Sequence, residues 1–260
     1  VSDILSFQSR GFSAALLFIY SIMKLFLFCI LFALATMPVL GQELTTIRRG
    51  LSRELWEIYQ ASSYHVKVKD GTYEVTTNKK ETLVKGQFKN GQKVGVWTYY
   101  DAGVPIQIYD FSAGKLLYNI PDSLTMVRSD YALEAVTDEG DTIQPPNKIG
   151  GANYGFLLLY EPRDMPEELK GMTASAQMTY VFTVTEEGKL QDWTVMYTGT
   201  SIHEIIVKKS ILHLPADAYE FVAAKVNGKP VKSKLSYTVP LLVDHRGVIG
   251  TSNGVVTEHP

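Results

Sequence analysis

The stretch GQFKNGQKVGVWTYYDAGVPIQIYDFSAGKLLY, Gly86 to Tyr118, places a glycine every few residues and sets Trp97, Tyr99, Tyr100 and Tyr109 between them. Sliding the sequence so that Leu83 falls on Ile106 also lays Phe88 on Phe111 and Gly91 on Gly114. An internal repeat of this kind reads as strand, turn and return strand, the turn glycine being free to take a positive φ that a Cβ would oppose. The aromatic side chains supply flat faces broad enough to cover a sheet one layer thick. The stretch therefore predicts antiparallel β-hairpins over residues 61–120, in which glycines punctuate and aromatics pack.

Upstream the period changes. Leu44, Ile47, Leu51, Leu55 and Ile58 recur every three or four residues, which predicts an amphipathic helix over 43–60 packed on the following sheet. From Tyr64 the alternation has period two: Tyr64, Val66 and Val68 are separated by polar residues, Asp70–Gly71 offers a hairpin turn, and Tyr73 and Val75 resume. Residues 1–41 are of another kind, apolar from Gly11 onward with Lys24 as the one charge after Arg10. Read from Met23, they show a short basic region, an apolar run from Leu25 to Ala35, and small or modest residues at a cleavage point before Gln42, the grammar of a signal peptide. Read from Val1, the run reaches the roughly 20 residues that span a bilayer, with Lys24 obliged to snorkel. Export to the periplasm or cell envelope is the expectation, and an inner-membrane anchor the alternative. The one cysteine, Cys29, lies inside this run, so the rest of the chain has no disulfide, Cys-bound zinc or thiol nucleophile.

The chain has 260 residues, 45% of them hydrophobic, and a net charge of -2, enough apolar material for an ordinary core. Its basic residues are dispersed, which argues against nucleic-acid binding.

After residue 120 the hairpin pattern is lost, and 121–152, with DEGDTIQPPNKIGG near its end, reads as a linker. A second domain is expected over 153–245, with a tail over 246–260. In it Met178, Tyr180, Phe182 and Val184 alternate, Glu186 to Lys189 turn around Gly188, and Trp193, Val195 and Tyr197 alternate again: a hairpin. Ser201 followed by Glu204 forms a capping box for a helix over IHEIIVKKSILHL, stopped by Pro215. A short extended arm, the Asn227–Gly228 turn and a long last strand from Val231 to Val243 complete the domain.

These residues resemble two families. GQFKNGQKVGVWTYYDAG and YDFSAGKLLY are similar to membrane occupation and recognition nexus (MORN) repeats, over Tyr73 to Tyr118. Tyr180, Phe182, Val184, Gly188, Leu214–Pro215, Phe221, Ala224, NGKPV from Asn227 to Val231, and Val239–Pro240, preceded by Tyr160 and Pro166, resemble the C-terminal domain of TonB-type energy transducers. Ala223 stands where that family has proline, and Ala176 where a glycine usually precedes the first strand. The resemblance implies an α+β fold: a MORN-like hairpin ladder, then a small TonB-C-like domain with a three-stranded antiparallel sheet and a packed helix. It also implies an exported, Bacteroidetes-like cell-envelope module that binds a protein partner, an outer-membrane receptor peptide being one candidate, by strand addition beside Lys234, Leu235, Ser236, Tyr237, Thr238 and Val239. A homodimer is a second expected partner. Energy transduction for outer-membrane receptors is the alternative function, though the only proline pair that could stiffen a tether is Pro145–Pro146.

No enzyme, cofactor or metal site is expected. His203–Glu204 has Val207 where H-E-x-x-H needs its second histidine, and His213 is too far along the predicted helix to join His203 on one ion. Asp138, Glu139 and Asp141 lack the spacing of a calcium loop and read as a solvated acidic turn. No nucleophile elbow or phosphate loop is present, and Glu186 and Asp192 merely flank a hairpin turn.

Overall fold

The computed structural model describes Lys24 and residues 43–52, 55–121, 127–159, 166, 169, 174–199, 202–243, 249–251 and 254–255. The expected signal segment apart from Lys24, with its Cys29, and Tyr160, Ser201 and most of the tail lie outside them. The chain divides into two compact units, Val1–Glu43 and Leu44–Pro260. Lys24, in the first, is helical and exposed. Among the described residues no helix is long and apolar enough to cross a membrane.

The second unit opens with seven strands: β1 (Leu44–Gly50), β2 (Leu55–Ser62), β3 (Lys69–Thr77), β4 (Thr82–Lys89), β5 (Gln92–Asp101), β6 (Val104–Asp110) and β7 (Lys115–Asn119). Each is antiparallel to the next, in sequence order. One rung runs across all of them, Arg49, Glu57, Val75, Val84, Tyr99, Gln107 and Asn119 standing opposite one another in turn. The β4–β5 turn has Asn90 and Gly91 at φ 50 and 79, and the β5–β6 turn has Ala102 and Gly103 at φ 47 and 79. Two consecutive positive φ values match the twist of the flanking strands, which is why Asn–Gly is favoured in such turns.

The amphipathic helix expected over 43–60 is instead β1 and β2. Leu55, Glu57, Tyr59 and Ala61 are buried while Trp56, Ile58 and Gln60 between them are only half-buried, the period of a strand. The pattern was hidden because one inward position is a carboxylate. Glu57 is fully enclosed and held by ion pairs with Arg49 and Lys69 and a hydrogen bond from Tyr73 Oη at 3.1 Å. Tyr64, Val66 and Val68 are not in a strand but in the loop before β3, all exposed, and Asp70–Gly71 lies inside β3 rather than at a turn.

The remaining strands are β8 (Arg128–Leu133), β9 (Ile143–Gln144), β10 (Asn147–Lys148), β11 (Ala174–Val184), β12 (Leu190–Gly199), β13 (Ile202–Lys208), β14 (Phe221–Val222), β15 (Ala224–Val226), β16 (Lys229–Val231), β17 (Ser233–Val243), β18 (Ile249–Thr251) and β19 (Gly254–Val255). A short helix, α1, covers Gly151–Leu157, and a 3-10 turn covers Ala216–Tyr219. The second large sheet has the order β13-β12-β11-β17-β18-β19, with β8 also paired to β17. The hairpin read from the alternation forms in register, Met178 opposite Tyr197, Tyr180 opposite Val195 and Phe182 opposite Trp193. Asn227 and Gly228, at φ 51 and 77, turn β15 into β16.

The α+β class is overturned. Among the described residues strand accounts for 62% and helix for 6%, leaving no packed-helix domain there, and the expected three-stranded sheet is a seven-stranded one. The segment IHEIIVKKSILHL, expected as its helix, supplies the edge strand β13, antiparallel to β12 with Val195 opposite Val207 and Tyr197 opposite Ile205. The run Ile205–Ile206–Val207 explains the outcome: three successive β-branched side chains lose χ1 freedom in a helix and fit a pleated surface. Ile205 and Val207 pack on the core while Ile206 points away.

Both sheets share one apolar core. Lys148, α1 and the 3-10 turn lie against it: Tyr99 stacks on Tyr154 at 5.9 Å, and Phe182 meets Phe221 at 5.5 Å.

Candidate functional site

The residues Lys234 to Val239 lie on β17. Leu235, Tyr237 and Val239 are buried in the core, and Lys234, Ser236 and Thr238 face the other way. One edge of the strand is taken by β11, with Tyr180 opposite Tyr237 and Phe182 opposite Leu235. The other edge is taken by β8, antiparallel from Ser233 opposite Leu133 to Thr238 opposite Arg128. β8 is a thin cover. Arg128, Asp130, Tyr131 and Ala132 are exposed and Ser129 and Leu133 half-buried, so its hold on β17 is mainly the backbone ladder. To this are added Ser236 Oγ donating to the Asp130 carbonyl at 3.2 Å and a Lys232–Glu134 ion pair at 3.2 Å. The segment expected to take a partner strand thus carries, within its own chain, a strand drawn from about a hundred residues earlier in the sequence.

A second cluster, absent from the sequence-based expectations, ties the first sheet to the 3-10 turn. Lys93 on β5 pairs with Asp217 at 2.7 Å and Glu220 at 2.6 Å, and its Nζ lies 4.9 Å from the centroid of the Trp97 ring and 4.7 Å from that of Phe111. Tyr154 Oη donates to Asp217 Oδ2 at 2.8 Å. Burial opposes the charge on Lys93, but Asp217 and Glu220 outweigh it and hold its pKa above that of an ordinary lysine. For Asp217 burial alone would raise the pKa; the Lys93 ammonium outweighs it and keeps the carboxyl below the usual range. Burial pushes the hydroxyls of Tyr99 and Tyr154 well above the ordinary tyrosine value, with Asp217 adding to the effect.

Lys148 on β10 is fully enclosed, and burial pushes its pKa down to about 7 against the pull of Asp217. Its Nζ donates to the carbonyls of Ile149, Asp217 and Glu220 at 2.9, 2.8 and 2.8 Å. Three acceptors use all three ammonium hydrogens, so the side chain ties the 3-10 turn to β10 and has no direction left for a substrate. Gln107, also buried, completes the join: its Nε2 donates to the Lys148 carbonyl at 3.0 Å and its Oε1 accepts the Gly150 N–H at 2.7 Å. The Gly150–Gly151 pair is built into this contact, with φ of 105 and 66 and space filled by Tyr154 and Ile106 where a Cβ would stand.

The remaining candidates are dispersed. His203 and Glu204 are exposed on β13, and His213 sits in the loop after it at φ 64. Asp141 Oδ1 accepts from Asn227 Nδ2 at 2.6 Å and its Oδ2 accepts the Asp138 N–H at 2.9 Å, so it fastens the acidic turn to the β15–β16 hairpin. Among the described residues no group of three His, Cys, Asp or Glu side chains is gathered to hold a metal ion. Glu57, Lys93, Lys148 and Asp217 left one trace in the sequence: charged residues set at inward positions, among aromatics or beside glycines. No family model matches the chain, and neither a curated protein nor a solved structure matches it.

Proposed function

We propose that this chain is an exported cell-envelope interaction module that receives an extended segment of a protein partner on the outer edge of β17, the partner strand taking the place of β8 over Lys234–Val239. The observation that carries this reading is the cover itself: the edge of β17 accepts an antiparallel strand, β8, that contributes little buried side chain. Main-chain hydrogen bonds give the affinity in such an exchange, and alternate side chains give the choice of partner. Because the ladder is common to any extended peptide, a partner strand recovers what β8 gives up and adds its own side-chain contacts.

The test weakens β8 without touching the core. Prolines at Ser129 and Ala132, positions of opposite parity, remove at least one N–H that the ladder uses. Extended peptides from envelope proteins, outer-membrane receptor segments among them, are then titrated against the full-length chain by calorimetry. The double variant is expected to bind a subset of peptides at least about tenfold more tightly than the unmodified chain, the ratio expected if loss of a competing strand raises the binding-competent fraction tenfold. Absence of binding at high micromolar peptide in both proteins removes this partner class.

A further inference from the structure

The outer edge of the second sheet is β13, and among the described residues no strand pairs with its second side. Its sequence around Ile206 reads His203, Glu204, Ile205, Ile206, Val207, Lys208, Lys209. In an antiparallel pairing of this strand with a copy of itself, centred on Ile206, Glu204 stands opposite the partner's Lys208, and Lys208 opposite the partner's Glu204. Ile205 stands opposite the partner's Val207, and Ile206 opposite its own counterpart on the twofold axis. The two faces agree with this register. Ile205 and Val207 pack on the core of their own sheet, so their pairing continues that core across the axis. Glu204, Ile206 and Lys208 share the opposite face, where Ile206 is 60% exposed. Lys208 reaches Asp192 on the neighbouring strand of its own sheet at 3.3 Å, both side chains remaining exposed.

We infer that the edge of β13 is a self-recognition surface, and that two copies of this chain join their seven-stranded sheets there through an isologous antiparallel contact. The occupant follows from charge. An exposed edge lysine ordinarily repels a neighbouring strand, but here a carboxylate stands four residues before Lys208, so a second copy of the same edge, in one register, sets each chain's Lys208 against the other's Glu204. Moving the centre by one residue, to Ile205 or Val207, takes both carboxylates away from their lysines. The outer edges of the first sheet lack the property: on β1, centring on Ile47 sets Arg48 and Arg49 against threonines, and on β7, centring on Leu117 sets Lys115 against Asn119. This inference is independent of the β17 edge and of what binds there.

Two measurements on the full-length chain test it. In a Cys29→Ser background, Ile206→Cys places the sole thiol on the axis. A short bismaleimide is expected to convert that chain to a covalent dimer, while Val104→Cys, 58% exposed on the first sheet, stays monomeric. Sedimentation is expected to show Glu204→Lys weakening the dimer by about tenfold or more, since it sets like charges opposite each other twice. The exchange Glu204→Lys with Lys208→Glu is expected to restore the dimer, with unchanged circular dichroism in all variants. Cross-linking at Ile206→Cys no greater than at Val104→Cys overturns the inference. So does a dimer indifferent to Glu204→Lys, which would be held elsewhere, and so does a charge exchange that fails to restore association.

Discussion

Gly86→Ala tests the packing argument at its tightest point. The register between β4 and β5 slips between Lys85 and Gln87, and in the slip the Trp97 ring lies directly over Gly86. A Cβ built on Gly86 comes within 2.7 Å of Trp97 Cγ, and closer still to Cδ2 and Cε2. Ordinary carbon contacts begin near 3.5 Å, so the ring must withdraw by about 1 Å or more. It has nowhere to go: the rings of Tyr73, Phe88 and Phe111 stand 5.2, 5.3 and 5.3 Å from it, and Nε1 donates to the Val94 carbonyl at 3.2 Å. Overpacking a filled site costs roughly 1–3 kcal/mol, and the upper end applies because Trp97 is fully buried. A loss of about 3 kcal/mol lowers Tm by about 6–12 °C for a chain of this size. Urea unfolding followed by far-UV circular dichroism measures it. Gly50→Ala is the control, a glycine with nothing near its would-be Cβ, and is expected to stay within about 0.5 kcal/mol of the parent. In a Trp97→Phe background the Gly86→Ala penalty is expected to fall, because the smaller ring leaves room. A penalty below about 0.5 kcal/mol, or one unchanged by Trp97→Phe, would refute the reasoning.

Three further expectations concern the polar interior. Lys69→Met leaves the enclosed Glu57 carboxylate with Arg49 and Tyr73 alone, and is expected to cost about 2–4 kcal/mol in urea unfolding, somewhat under the usual figure for breaking a buried pair; a cost below about 1 kcal/mol would count against the Lys69–Glu57 pair as a stabilising contact. Because Asp217 is held below its ordinary value of 3.8, the folded chain binds fewer protons there than the unfolded one. The stability it contributes is therefore present above that value and lost as pH falls through the folded one. The difference between Asp217→Asn and the parent is expected to be largest at neutral pH and to close in acid, and a gap constant from pH 7 to 3 would contradict the pairing with Lys93. Asn227→Gly removes the contacts to Asp141 and to the Thr142 N–H at 3.0 Å while tolerating the positive φ there, and should speed hydrogen exchange at Thr142 and Lys229 with little change in Tm; unchanged exchange would show that the turn holds without them.

Much of the β-structure was legible because it is locally encoded. Asn90–Gly91 and Asn227–Gly228 supply consecutive positive φ values, and the alternation from Met178 to Val184 and from Trp193 to Tyr197 names the inward face of a hairpin without reference to anything else in the chain. The two helices read into 43–60 and 202–214 fail for one reason. Hydrophobic spacing reveals an inward face only when that face is apolar, and here Glu57 points inward while Ile206 points outward.

The sequence by itself determined the turns at Asn90–Gly91 and Asn227–Gly228 and the inward aromatics of the β11–β12 hairpin, since backbone sterics and alternation act between near neighbours. Only the tertiary structure decided that β8 lies on β17, that Lys148 meets the carbonyls of Asp217 and Glu220, and that Lys93 meets their carboxylates. Those partners are some seventy to a hundred and twenty-five residues apart in sequence. Whether a buried charge is neutralised depends on which distant segment closes over it, and no local pattern carries that information.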